Sequence, residues 1–210
     1  LAGKDFERSV FVNCPFDAEF EPILQAILFC LVRYGLKPRI ATERSDSSES
    51  RLAKIEELIW SSKFSIHDLS RTRSVSSNEF YRLNMPFELG IDYGCKRFGP
   101  APVKHKHILV TAEKPYEYQA ALSDLAGSDI AAHDGEYTTA IRKVRNWLVG
   151  IGGFGSDQAS KVISEYEDFQ EWFLEKRLDE GANEDDLLDT PTAELLDGML
   201  LWFDSGMPRE

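Results

Sequence analysis

Apolar residues along this chain recur in two alternating rhythms. Short runs such as Val10-Phe-Val12, Phe64-Ser-Ile66 and Ile108-Leu-Val110 are separated by stretches in which apolar side chains return every three or four positions. The first rhythm predicts strands and the second amphipathic helices. Strands are predicted over residues 9–13, 38–42, 64–68, 106–111 and 129–133. Helices are predicted over residues 20–34, 46–60, 84–98 and 139–149. The first helix holds the longest apolar run, Ile27 to Val32, read as a buried helix face ended by Gly35. Asp46 and Glu49 have capping-box spacing, which places the second helix start at Asp46, ahead of Leu52, Ile55, Ile59 and Trp60. Pro86 falls in the first turn of the third helix, where a missing N–H costs nothing. Trp60 and Trp147 are read as core.

Strands alternating with helices of this length imply right-handed βαβ crossovers and a parallel sheet. The expected architecture is α/β: a flavodoxin-like, doubly wound, five-stranded sheet in the order 2-1-3-4-5, with a C-terminal helical extension. Four glycines in residues 150–155 mark a hinge or linker. They divide the chain into a flavodoxin-like domain (residues 1–150) and an acidic helical extension (residues 151–210). In the extension, residues 162–178 and 193–203 read as helices separated by an acidic loop.

Charge sharpens this division. Residues 157–210 hold 16 of the 36 acidic and 4 of the 24 basic residues, which is the whole of the net charge of −12. A neutral body with an acidic tail argues against binding polymeric nucleic acid, which needs a basic stripe. Small phosphorylated ligands need only a few placed arginines. Trp172, Phe173, Trp202 and Phe203 are too many aromatics for a solvated tail. They are expected to pack on the chain's own body or, in a homo-oligomer, on a second copy. No apolar stretch has membrane-spanning length, so no membrane partner is expected. Leu1 to Asp5 has no secretory character, and Cys14, Cys30 and Cys95 have neither CxxC nor metal-ligand spacing. A reducing, cytoplasmic location is the expectation.

Ligands of such sheets bind outside the carboxyl ends of the strands, where strand order reverses. The polar residues expected there are Asn13, Arg44, Asp46, His67, Asp68, Ser70, Arg71, Asn84 and Glu88. Glu88 lies among Met85, Pro86, Phe87, Leu89 and Ile91 near a helix start, where apolar surroundings raise a carboxyl's pKa. Arg44 and Arg71 are candidates for a ligand phosphate, and Phe16 and His67 for ligand contacts. His105 and His107 lack a third metal ligand nearby, so neither a metal nor another cofactor is expected.

Three segments, Val10-Phe-Val-Asn-Cys-Pro-Phe16, Ser65-Ile-His-Asp-Leu69 and Asn84-Met-Pro-Phe-Glu-Leu-Gly90, resemble the nucleoside 2-deoxyribosyltransferase family. The neighbouring Toll/interleukin-receptor-type NAD-cleaving domains share its flavodoxin-like sheet. The likeness covers roughly residues 9–112. It implies Glu88 as nucleophile or stabilising carboxylate and Asp68 as the residue that holds or protonates the base. It also implies a bacterial branch of the superfamily, whose relatives often consume nucleotides in phage defence. Phe11 stands where that family usually has a Tyr that orients the Glu.

The function expected is therefore hydrolysis or transfer at the N-glycosidic bond of a nucleoside or nucleotide, NAD among them. The chemistry needs one carboxylate facing C1′ and a proton donor at the leaving base. Two alternatives stay open: a nucleotide-sensing module that kept the crevice without the chemistry, and an interaction domain working through its acidic tail.

Overall fold

The computed structural model describes residues 5–43, 48–71 and 83–208. Strands β1 (Ser9–Asn13), β2 (Lys37–Ile40), β3 (Phe64–Asp68), β4 (His107–Ala112) and β5 (Ile130–Ala132) form one sheet in the order β2-β1-β3-β4-β5. Every neighbouring pair is parallel. This is the flavodoxin-like α/β architecture expected from the alternation of periods. β1 is an inner strand, between β2 and β3, and is buried along its whole length. Its alternation sorts the two faces. Val10 and Val12 pack towards helices α1 (Glu21–Arg33) and α4 (Tyr137–Ile151). Phe11 packs towards α2 (Arg51–Trp60) and α3 (Asn84–Phe98).

Two expectations need correction. The second helix begins at Arg51, not Asp46, and its cap is Ser50, whose hydroxyl accepts from the Ala53 N–H. Asp46 lies outside the described residues. Trp60 is 43% exposed, because the buried stripe of α2 runs through Lys54, Ile55, Leu58 and Ile59 and leaves the last residue outside it. Trp147 is half-buried against the core, edge-on to Phe64.

The extension forms α5 (Ala159–Asp179), α6 (Glu184–Leu188) and α7 (Thr192–Asp204). The short α6 arises inside the predicted acidic loop because Asn183 and Asp186 form a capping box. α5 and α7 lie against α1, whose buried residues include Ile23, Leu24 and the entire stretch from Ala26 to Val32. A helix apolar all round must be covered all round, and here the sheet takes one side and the extension the other. The run from Ile27 to Val32 is thus buried on two sides. Phe29 is the hub, with the rings of Tyr166, Phe169, Trp202 and Phe203 centred 5.3–5.8 Å away.

Arg33 at the end of α1 pairs with Asp157 at 2.8 Å and with Glu165. Arg145 of α4 donates to the carbonyls of Ser156 and Asp157. The glycine segment is a turn, with Gly152 and Gly153 both at φ 84°, a region that favours glycine. Phe154, just after it, packs edge-on against Tyr34 and Phe64. The apolar core is therefore continuous across residue 150. Of the four extension aromatics, Trp202 is buried and Trp172, Phe173 and Phe203 are half-buried, all against this same chain.

α7 comes close to α5 at Gly198, where a Cβ would lie 2.4 Å from Phe173 Cε2. Alanine is the better helix former by about 1 kcal/mol, yet Gly198→Ala should lower the thermal midpoint because the ring must move. A raised midpoint in a calorimetric scan would show that Phe173 swings aside at no cost. Among the described residues no helix is long and apolar enough to cross a membrane.

Candidate functional site

Strand order reverses between β1 and β3, and a cleft of about 500 Å³ opens at the carboxyl end of β1. Phe11 to Phe16, Ala41, Arg51, Leu83, Asn84, Met85 and Glu88 line it. α3 presents Met85, Glu88, Leu89 and Asp92 as its buried stripe, so two carboxylates one turn apart occupy positions where apolar residues are the rule. Glu88 is 6% exposed and makes no hydrogen bond with any described residue. Burial pushes its carboxyl up to about 7, with Arg51 pulling weakly the other way.

This shift has a stability consequence. Between the ordinary Glu value of 4.5 and about 7 the folded chain holds a proton that the unfolded chain releases. Stability from this group is therefore complete below 4.5 and falls as pH rises through about 7. The loss is on the order of 3 kcal/mol. Glu88→Gln should accordingly raise the thermal midpoint at pH 8 and leave it unchanged near pH 4. Equal midpoints at both pH values would show that the carboxyl is better solvated than its burial implies.

Asn13, at the end of β1, reaches the cleft from a buried polar chain. Its Nδ2 donates to the Met85 carbonyl and to His67 Nδ1, both at 3.0 Å. His67 Nε2 lies 3.0 Å from Asp92 Oδ2, and Asp92 Oδ1 lies 3.1 Å from Lys106 Nζ. Lys106 also donates to the carbonyls of Ile59 and Ser62. His67, Asp92 and the Lys106 ammonium are shut off from solvent. Burial alone would raise Asp92, but His67 and Lys106 hold it below the usual carboxylate range. Burial lowers Lys106 against the pull of Asp92.

Asp68 is not in the cleft, which corrects the expected pairing with Glu88 across a ligand. It is fully buried and accepts from the Ser70 N–H (2.9 Å), Thr111 Oγ1 (2.7 Å) and His133 Nε2 (3.1 Å). Burial would raise its carboxyl, yet His133, Ser70 and Thr111 hold it lowered. The Gly135 N–H donates to His133 Nδ1, so the ring proton sits on Nε2. Ser70 Oγ meets that same Nε2 at 3.0 Å. A nucleophilic relay needs the serine and the carboxylate on opposite ring nitrogens, so this cluster is a structural clasp between β3 and the end of β5.

The other expected residues divide. Asn84 is exposed at the rim of the cleft and Phe16, 40% exposed, stands at its mouth. Arg71 is taken up by Asp17 at 2.7 Å, Glu19 at 3.2 Å and Glu113 at 3.7 Å, away from the cleft lining. Arg44 lies outside the described residues. Cys14 lines the cleft, but burial and the nearby Asp68 push its thiol well up, leaving it a poor nucleophile. His105 ends a short turn and His107 begins β4, and among the described residues no group of three His, Cys, Asp or Glu could hold a metal.

Sequence reasoning passes over Asp92, Lys106, His133 and Arg51. Asp92 was legible, standing four residues after Glu88 on the same face of one helix. Arg51 was hidden by the misplaced helix start, for it sits at the first position of α2. Lys106 and His133 carry no local signal, because only the strand order brings them to Asp92 and Asp68. Set against protein-family models, curated proteins and solved structures, the chain matches none.

Proposed function

We propose that this chain cleaves, or transfers across, the N-glycosidic bond of a nucleotide whose leaving base is cationic, as in NAD, with Glu88 facing C1′. The observation that carries this reading is a carboxyl, alone of its kind among the described residues of the lining, buried and free of hydrogen bonds to them, in the cleft at the switch point of the sheet. As the bond to the base breaks, positive charge builds on the sugar, and a desolvated carboxylate is well suited to stabilise it or bond to it. With Asp68 outside the cleft, no second carboxyl among the described residues lines it to protonate a departing base. A pyridinium needs no proton, since the C1′–N electron pair neutralises its ring as it leaves. Water or another acceptor then attacks C1′, and its proton passes to Glu88, whose proton affinity near neutrality fits that role.

Arg51 at the cleft supports a phosphate and Phe16 offers a face for a base. Arg51 thus replaces Arg71, which is committed to carboxylates. The test is incubation with NAD, NADP, adenosine and deoxynucleosides, followed by chromatography of free base. Nicotinamide release is expected from NAD, with no base from the neutral nucleosides. The ionised carboxylate is the reactive form, so the rate should rise with pH through about 7. Release of adenine from deoxyadenosine with NAD left intact would refute the cationic-base reading. The sensing alternative draws on Phe11, which lines the cleft and offers Glu88 no hydroxyl. NAD binding without nicotinamide release would favour it.

A further inference from the structure

We infer that Asn13 presents a fixed hydrogen-bond acceptor to the ligand's sugar, locked by the buried His67–Asp92–Lys106 chain, so that the cleft selects ribosides over 2-deoxyribosides. This inference rests on the glycosidic reading above.

The orientation of the Asn13 amide follows from chemistry. The Met85 carbonyl can only accept, so the atom 3.0 Å from it must be the amide nitrogen. That nitrogen also lies 3.0 Å from His67 Nδ1, which must therefore accept, leaving the ring proton on Nε2. Nε2 faces Asp92, and Asp92 is pinned by Lys106. Both amide hydrogens are thus committed inside the protein. Rotating the amide by half a turn would set Oδ1 against a carbonyl oxygen and a ring lone pair, two acceptor-to-acceptor contacts at a buried position. Asn13 is 4% exposed and lines the cleft, and its Oδ1 has no partner among the described residues.

The floor of the cleft consequently holds two acceptors. Asn13 donates to the carbonyl of Met85, three residues ahead of Glu88 on α3, and the amide and the carboxyl line the same cleft. Among the described residues, the other side-chain nitrogen donors that line the cleft, Arg51 and Asn84, are exposed. Two neighbouring acceptors repel an anion and call for hydroxyl donors, so the sugar goes in and the phosphate stays at the rim with Arg51. With C1′ facing Glu88, the hydroxyl next to it in the sugar is the 2-hydroxyl. A 2-deoxy sugar would bury Oδ1 with nothing to accept from, and sites built on such a bond reject the analogue lacking it. His67, Asp92 and Lys106 do not line the cleft, which makes them positioning residues.

The experiment titrates the full chain with ribose 5-phosphate and 2-deoxyribose 5-phosphate, reading affinity by calorimetry or NMR. The wild type should prefer the ribose compound by about tenfold or more. Asn13→Leu should bring that ratio to about one while keeping the affinity for the deoxy sugar. His67→Phe should do the same, and His67→Gln, which can accept from Asn13 and donate to Asp92, should restore the preference. A merely structural His67 would weaken both sugars together and leave the ratio unchanged. Glu88→Gln should keep the preference although it ends base release. Equal binding of the two sugars by the wild type, or binding of neither, overturns the inference whatever the variants do. A preserved ribose preference together with undiminished base release in Glu88→Gln would instead sink the catalytic reading alone.

Discussion

Glu88→Gln is expected to cut nicotinamide release from NAD by about a thousandfold or more while the protein stays folded. The magnitude follows from the charge that is lost. A carboxylate about 4 Å from a cationic sugar carbon, at an effective dielectric near 20, contributes roughly 4 kcal/mol, and each 1.36 kcal/mol is a factor of ten in rate. Glutamine keeps the shape of the side chain and half its acceptor capacity, so binding of the intact dinucleotide should change little. Glu88→Asp keeps the charge but draws it back, and should fall between the two. The same Gln variant should be more stable than the wild type at pH 8, since burial opposes the charged form. A residue whose removal stabilises the fold and ends the reaction is held there for the reaction. Undiminished release by Glu88→Gln, measured at saturating NAD by chromatography, would remove Glu88 from the chemistry.

The sheet was legible because its two periods are clean. β1 and β3 begin and end where the pattern of Val10, Phe11 and Val12, or of Phe64 and Ile66, predicts. α3 likewise runs over its predicted span. The start of α2 was not, because several residues ahead of it can cap a helix. Asp46 with Glu49 mimics a capping box, yet the cap in use is Ser50. The site was half legible. Glu88 is conspicuous as a carboxylate among apolar neighbours, and Asn13 as a polar end to an apolar strand. Asp68 looked equivalent to them, since strand ends face the ligand in such folds. It turned inward because Thr111 on the neighbouring strand and His133 beyond β5 offer it partners that no local pattern reveals. Chain-distant partners decide whether a polar strand end faces a ligand or a clasp.

Removing residues 157–210 is expected to leave a body that no longer folds to a soluble, monomeric state at ordinary temperature. The acidic composition of this segment reads as a detachable appendage, but its apolar residues say otherwise. Val162, Tyr166, Phe169, Leu195, Met199 and Trp202 are all buried in the main core, over the outer side of α1. Each is worth about 1.5–3 kcal/mol on full burial, so the group rivals the 5–15 kcal/mol by which whole domains are stable. Deletion would also bare Phe29 and its neighbours on α1, a contiguous apolar patch of the kind that drives association. Arg33 would lose both carboxylates that hold it. A milder probe of the same contact is Phe29→Ala, expected to cost about 3–5 kcal/mol because the surrounding rings cannot all close on the cavity. Size-exclusion chromatography and a thermal scan of residues 1–156 decide the matter: a monomer with the full-length midpoint would mean that α5 and α7 merely rest on a self-sufficient body.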